Sequence, residues 1–224
     1  HYLDNGLEHS PLILSRYCGI GSHRYPLGFS GDTFVTWESL DYLPYFTATA
    51  SNAGYSWWSH DIGGHMYGSK DDELYVRFVQ FGVFSPINRL HSTDSETFTK
   101  EPWAYSNGSG LIAAQYLRLR HKMIPFLFSA SCRANKEGLA LIEPLYYEWA
   151  ENKEAYQYRN EYLFGGQLLV APVTQKSKEQ GMTVLKIWLP EGKWTDLFTG
   201  MEYEGGSEFK MMRWMEEMPV FLRE

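Results

Sequence analysis

The chain has 224 residues, of which 44% are hydrophobic and 21% charged, and these proportions are typical of a folded globular protein of one or two domains. Its formal net charge of -7 disfavours nucleic acid and anionic membrane surfaces as partners, because both attract a cationic protein face. No apolar run reaches the roughly 20 residues of a membrane-spanning helix, and Cys18 and Cys132 lack disulfide or zinc-site spacing. We therefore expect a cytoplasmic protein without a cofactor.

The first candidate site follows a short apolar strand predicted at residues 11–14. Arg16 comes at the carboxyl end of this strand, and Asp32 stands at the end of the glycine-rich turn 28–32. Two glycines let the backbone of this turn approach a ligand closely. We predict that the Asp32 carboxylate points into a cleft, with a helix cap or turn contact as the alternative. For Arg16, the alternatives are a ligand contact and a salt bridge at the rim.

A second unit of the same kind follows the first. Residues 37–53 predict a helix that is capped by Thr36 and closed by Gly54. An aromatic strand at residues 55–59 then leads into His60 and Asp61, with two glycines directly behind them. The order of strand, acid and glycines therefore occurs twice.

A third unit begins with the acidic residues 71–73, which favour a helix start and predict a helix to about Phe81. Residues 83–87 predict a strand that leads into His91. Alternating strands and helices indicate a βα repeat, and in a (β/α)8 barrel such strand ends meet on one face. A doubly wound open sheet is the alternative, but the chain has no glycine fingerprint for a dinucleotide.

The later part of the chain changes in character. Helical periodicity predicts one long helix over residues 111–133, bent at Pro125, and short strands follow at 141–147, 168–172 and 184–189. About four βα units fit before residue 138, which is half of a full barrel. The predicted fold class is therefore α/β: the second half of a (β/α)8 barrel in residues 1–138, then an antiparallel β-sandwich segment, cut short, in residues 139–224.

The polar residues suggest two kinds of chemistry. Asp32 and Asp61 could form a general acid and base pair, because acetal hydrolysis uses two carboxyl groups. His60, Asp61, His65 and His91 could instead hold a divalent metal ion. Their spacing matches no helical ligand pair, so hydrogen-bonding histidines are favoured and no metal is expected. The many tyrosine and tryptophan rings would suit sugar faces, but most such rings fill cores.

Five ordered blocks of the sequence resemble glycoside hydrolase family 31, the retaining α-glucosidases and α-xylosidases. The resemblance covers about residues 11–200, and residues 164–173 resemble the entry to that family's proximal C-terminal β-sandwich. The blocks are residues 14–16 (Leu-Ser-Arg), 31–33 (Gly-Asp-Thr), 59–64 (Ser-His-Asp-Ile-Gly-Gly), 84–91 (Phe-Ser-Pro-Ile-Asn-Arg-Leu-His) and 119–127 (Leu-Arg-His-Lys-Met-Ile-Pro-Phe-Leu).

The resemblance implies that Asp32 is the general acid/base. It also implies that Arg16, Asp61 and His91 bind hydroxyl groups of the sugar whose bond is broken, so that Asp61 is not the catalytic partner. Phe29 and His65 depart from residues that many members carry, Trp and another aromatic respectively, and the choice between glucosides and xylosides stays open. Phe29, Trp58 and His65 are the further predicted substrate contacts.

The same resemblance implies that the catalytic nucleophile is an Asp on an earlier barrel strand, in a Trp-rich block that precedes this chain. Asp4 is present, but its surroundings resemble the loop after that block. We therefore expect a fragment of an exo-acting enzyme that releases terminal α-linked glucose or xylose from oligosaccharides, inactive alone, since a retaining mechanism needs both carboxyl groups. The alternative is a non-catalytic carbohydrate-binding or scaffold protein. A half-barrel would expose apolar faces, so self-association is expected.

Overall fold

The computed structural model describes residues 13–16, 19, 21–24, 27–178 and 181–224, so the predicted strand at 11–14 lies only partly within it. We call the described residues up to 137 the barrel part and residues 138–224 the sheet part. In the barrel part, short strands are interspersed with helices. Its elements are β1 (Leu14–Ser15), β2 (Leu27–Phe29), β3 (Phe34–Val35), α1 (Trp37–Thr49), β4 (Trp57–Ser59), β5 (Met66–Gly68), α2 (Asp72–Val83), α3 (Asn107–Lys122) and α4 (Ile124–Glu137).

Strands β1, β2 and β4 form a parallel sheet in that order. Gly28 lies opposite Trp58 across the β2–β4 pair, and Phe29 lies opposite Ser59. A single parallel bridge between Ile62 and Leu90 continues the arrangement beyond β4. Because the strands are parallel, the residues that follow their carboxyl ends gather at one edge.

Helix α1 forms where local signals predict it. The hydroxyl of Thr36 accepts a hydrogen bond from the Ser39 backbone N–H at 3.2 Å, which satisfies one of the free donors at the start of the helix. A 3-10 turn at Ala50–Ala53 extends the helix, and Gly54 ends it in the left-handed conformation at φ 86°. The predicted helix over residues 37–53 is confirmed.

Helix α2 is longer than predicted, and the predicted strand at 83–87 is wrong. Val83 is the last residue of α2, and residues 84–87 form a turn. Residues of α2 are buried on all sides of the helix. The sequence at its end therefore lacks the one-sided apolar pattern of a surface helix, and its apolar run resembles that of a buried strand. Arg120 donates to the carbonyls of Val83 and Ser85 at 2.7 Å each, which replaces the missing strand pairing.

The predicted long helix is two helices, α3 and α4. They meet at Met123, and Pro125 stands in the first turn of α4, where a proline has no helical partner to lose. The predicted bend at Pro125 is thus a break two residues earlier. None of the described helices is long and apolar enough to cross a membrane.

The sheet part is built from antiparallel strands. Its elements are β6 (Ile142–Pro144), α5 (Glu154–Gln157), β7 (Tyr162–Phe164), β8 (Leu168–Val170), β9 (Thr183–Leu189), β10 (Lys193–Asp196), β11 (Glu202–Glu204), β12 (Ser207–Arg213) and β13 (Val220–Arg223). Six of the strands form one sheet in the order β11-β10-β13-β8-β7-β6, and β9 pairs with β12. The predicted fold class, a partial barrel followed by an antiparallel sandwich segment, is confirmed.

The six-stranded sheet has a different core on each face. Tyr162 and Phe164 of β7 pack into the core that contains the barrel helices, whereas Leu163 packs with Ile187 and Trp194 into a second core. The Tyr162 hydroxyl also donates to the Phe84 carbonyl at the end of α2, at 2.9 Å. The two parts therefore share one continuous apolar core, and the division at residue 138 stays a prediction.

Candidate active site

Arg16 and Asp32 lie together at the carboxyl edge of the parallel sheet. Arg16 Nη2 is 3.4 Å from Asp32 Oδ2, and the Asp32 side chain is 27% exposed. Gly31, directly before the acid, has φ of 85°, a conformation that glycine adopts without strain. The Asp32 carboxylate is thus accessible from solvent at the strand edge, and it is not packed into the interior.

Asp61 is the buried acid of the site. Its side chain is 0% exposed, and Oδ1 accepts from Arg89 Nη2 at 2.8 Å. Its second oxygen, Oδ2, accepts from the Thr33 backbone N–H at 3.1 Å, so Asp61 lies against the residue that follows Asp32. Burial raises the pKa of Asp61, and Arg89 is the largest influence in the other direction.

A tight turn places His65 beside this acid. Gly63 and Gly64 have φ of 93° and 75°, and a Cβ on Gly64 would lie 2.8 Å from the Val35 backbone. The close approach lets the His65 backbone N–H donate to the Thr33 carbonyl at 2.6 Å. Glycine is therefore required here by both conformation and space.

His65 and His91 form a stacked pair. Their ring centroids are 4.6 Å apart, with an angle of 24° between the planes. Burial lowers the pKa of His91, and Arg89 lowers it further, while Asp61 opposes both. A neutral His91 imidazole can both donate to and accept from a bound hydroxyl group.

His60 belongs to the core. It is fully buried, its ring stacks on Phe81 at 4.5 Å, and its Nε2 lies 2.9 Å from Ser85 Oγ. Because Ser85 Oγ donates its own proton to the Phe81 carbonyl, His60 Nε2 must donate to Ser85. Burial, with Arg89 second, lowers the pKa of His60 to about 3.

Phe29 and Trp58 lie on opposite faces of the sheet. Phe29 is on the face of Ser59, and the Arg89 guanidinium lies 4.7 Å from its ring centroid. Trp58 is 3% exposed and packs on Phe46 of α1, with ring centroids 5.4 Å apart. We therefore correct the prediction for Trp58: it faces the helix layer, so a sugar at the strand edge cannot contact it.

Two cations, Arg89 and Lys100, lie near Asp61, and the sequence alone predicts no role for either. Arg89 bonds both Asp61 and Ser59, the latter from Nε at 3.2 Å. Lys100 is buried, and burial lowers its pKa to about 8, with Asp61 the main opposing charge. Its methylenes pack where a Cβ on Gly63 would lie, 2.6 Å from Lys100 Cδ. Arg89 lies in residues 84–91, one of the five blocks that resemble glycoside hydrolase family 31, whereas no local motif in the sequence indicates Lys100.

The site thus combines an accessible carboxyl group with a buried carboxylate, an arginine and paired imidazoles, all on the carboxyl edge of a partial (β/α)8 barrel. Barrel enzymes bind and convert their substrates at this edge, so the fold and the site together are those of a barrel enzyme that acts on a polar ligand. Asp61, His65 and His91 are also close enough to share a metal ion.

The chain belongs to glycoside hydrolase family 31. A model described as the TIM-barrel domain of glycosyl hydrolases family 31 matches residues 3–130, and the model of that family's C-terminal domain matches residues 138–224. Both matched regions follow each other in the order that the resemblance implies.

Three similar proteins illustrate the relationship. An α-xylosidase of Saccharolobus solfataricus is 29% identical over 95% of this chain and 29% of its own length. The α-glucosidase 2 of Bacillus thermoamyloliquefaciens is 28% identical over 96% of this chain and 26% of its own. A family 31 α-xylosidase from a soil metagenome, solved with xylose, is 33% identical with a TM-score of 0.84, over 95% of this chain and 34% of that one. The chain spans about a quarter to a third of these relatives.

Proposed function

We propose that the chain carries the acid/base half of a retaining, exo-acting α-glycosidase, which releases terminal α-linked glucose or xylose from oligosaccharides. The observation that carries this proposal is the position of Asp32: an accessible carboxyl group at the strand edge, 3.4 Å from Arg16. Membership of family 31 and the α-xylosidase and α-glucosidase relatives support it.

In the first step, protonated Asp32 donates its proton to the oxygen of the leaving group as the glycosidic bond breaks. A nucleophilic carboxylate forms a bond to the anomeric carbon at the same time, which gives a covalent glycosyl-enzyme. In the second step, ionised Asp32 accepts a proton from water, and that water displaces the carboxylate. We propose that the nucleophile comes from residues that precede His1.

The remaining site residues hold the sugar ring. Asp61 offers acceptor oxygens to hydroxyl groups, and Arg89 and the Thr33 N–H fix its carboxylate in one orientation. His91 and Arg16 supply donors around the same ring. A ring held in one orientation reacts faster because less motional freedom is lost in the transition state.

Substrate choice depends on the space around one carbon, since glucose differs from xylose by a hydroxymethyl group. The relatives include both an α-xylosidase and an α-glucosidase. We propose that Phe29 and His65 contribute to this choice, because Phe29 packs beneath Arg89 and His65 stacks on His91.

The test is hydrolysis of 4-nitrophenyl α-glucoside and α-xyloside by the chain, expressed with any coding sequence that precedes His1. We expect Asp32→Asn to lower kcat by about 100-fold to 10,000-fold, because the second step loses its general base, whereas kcat/KM falls less because 4-nitrophenolate leaves without protonation. Glu151→Gln, at an exposed carboxylate of the sheet part, is the matched control and should hydrolyse normally. Equal rates for Asp32→Asn and wild type would reject the role, and sugar binding without hydrolysis would favour the carbohydrate-binding alternative.

We also propose that the chain alone self-associates through apolar side chains of the barrel part. Several are largely exposed, with Phe128 at 71% and Leu111 at 63%. Exposed apolar surface of this kind favours association. Light scattering over a dilution series should show a mass above 26.0 kDa that falls on dilution. A constant monomer mass would contradict this.

A further inference from the structure

We propose that Asp61, His65 and His91 form a binding site for a divalent transition metal ion such as Zn²⁺. Each residue offers one ligand atom, and these three atoms all lie within 4.8 Å of one another. The spacing of these residues in the sequence gives no metal motif. The tight turn at Gly63 and Gly64 and the parallel bridge at Leu90 bring them together.

The ligand set suits zinc. Two imidazole nitrogens and one carboxylate oxygen are ordinary Zn²⁺ ligands at about 2.0–2.2 Å, and three protein ligands leave a fourth position open. In tetrahedral coordination two ligand atoms of one such ion are about 3.4 Å apart. Atoms that lie up to 4.8 Å apart therefore need to close by up to about 1.4 Å. The 24° angle between the stacked rings has to open as they do so.

His65 has a ring nitrogen that no hydrogen bond occupies among the described residues. This atom, Nδ1, is buried. A buried polar atom without a partner carries an energetic cost that a metal ion would remove. His60 takes no part, because its ring is in the core and its Nε2 bonds to Ser85.

Nearby positive charge limits the affinity. Arg89 is paired with Asp61 at 2.8 Å, and Lys100 is buried close to the same carboxylate. Both cations repel a bound metal ion, so we expect micromolar rather than nanomolar binding. Mg²⁺ prefers an all-oxygen shell and should not bind here.

The site overlaps the proposed sugar site, because Asp61 and His91 would serve both ligands. Zinc should therefore inhibit hydrolysis competitively, and a glycoside should displace zinc. This consequence rests on the proposed function, whereas metal binding itself does not.

Titration calorimetry with ZnCl₂ tests the site directly, on the chain with Cys18 and Cys132 both replaced by serine so that no thiolate binds zinc. We expect one ion per chain, and at least about tenfold weaker binding in His65→Phe. His121→Phe is the matched control, because His121 is exposed on α3. Circular dichroism of each variant establishes that it is folded, and His91→Asn provides a second variant should His65→Phe fail to fold.

Co²⁺ gives an independent signature, since tetrahedral nitrogen and oxygen ligands produce visible absorption bands that are much stronger than the weak band of the hydrated ion. We expect these bands in the wild type and the His121→Phe control, and their loss in His65→Phe. Equal zinc affinity in wild type and His65→Phe, or a Kd weaker than about 1 mM, would overturn the metal site. Zinc binding, with no hydrolysis by the protein expressed with the coding sequence that precedes His1, would reject only the proposed function. Hydrolysis by that protein without zinc binding would reject only the metal site.

Discussion

Arg89 Nη2 lies 2.8 Å from Oδ1 of the fully buried Asp61, and this ion pair connects the residues after β4 to the segment that leads into His91. The Asp61 side chain is 0% exposed and that of Arg89 is 29% exposed. Without Arg89, the carboxylate would stay buried, and the Thr33 N–H would be its only hydrogen-bond donor among the residues that the structure describes. The arginine is therefore a condition for an ionised Asp61 at this position.

Arg89→Met should lower the free energy of unfolding at pH 7 by about 3 kcal/mol, because it leaves a buried charge without its partner. Urea denaturation measures this. The double variant Arg89→Met/Asp61→Asn should recover part of the loss, since it removes the uncompensated charge as well. Additive effects of the two single substitutions would show that the pair is not coupled.

His60 should make the protein sensitive to mild acid. Its pKa is about 3 in the folded chain and near 6.5 when unfolded. Between these pH values His60 is protonated in the unfolded state and neutral in the folded state. Its contribution to the free energy of unfolding is therefore largest above pH 6.5 and is lost as the pH falls. From pH 7.5 to pH 5 this loss amounts to about 2 kcal/mol.

His60→Gln tests this linkage, because glutamine can donate to Ser85 Oγ from nearly the same position and does not titrate. Denaturation at pH 7.5 and pH 5 should show a loss of stability about 2 kcal/mol smaller in the variant than in the wild type. The same loss in both proteins would mean that other groups cause the acid sensitivity.

Gly28 holds the sheet close to the aromatic residues beneath it. A Cβ here would lie 2.3 Å from the Trp58 ring and 2.8 Å from that of Tyr55. Gly28→Ala should therefore destabilise the fold by about 1–3 kcal/mol through overpacking. Gly108→Ala, in α3 with nothing within 4 Å, is the control and should be neutral or slightly stabilising. Equal melting temperatures for the two variants would contradict the packing of Trp58.

Local signals explain which parts of the fold could be predicted. Helix α1 has a capping threonine at one end and a left-handed glycine at the other, and both act within a few residues. The end of α2 has no such signal, because the helix is buried on every side and its apolar run continues into the turn. Whether that run forms a helix or a strand depends on the carbonyl contacts of Arg120, which lies far along the chain.

The site was predictable where a residue stands next to a glycine turn, as Asp32 and Asp61 do. It was not predictable where a residue's role depends on which face of the sheet its side chain occupies. Trp58 and Ser59 are neighbours in sequence, but only Ser59 faces Arg89, because side chains alternate along a strand. Lys100 reaches Asp61 through tertiary packing alone, which no spacing in the sequence reveals.

The most direct test of the central claim, that Asp32 is the acid/base, is rescue of Asp32→Ala by azide. The small anion needs no general base, so it can attack the glycosyl-enzyme in place of water. With the variant expressed together with the coding sequence that precedes His1, and with an activated aryl α-glycoside as substrate, we expect azide to restore turnover and to give the α-glycosyl azide, identified by NMR. Turnover by Asp32→Ala that matches wild type, or a defect that azide leaves unchanged, would contradict the account.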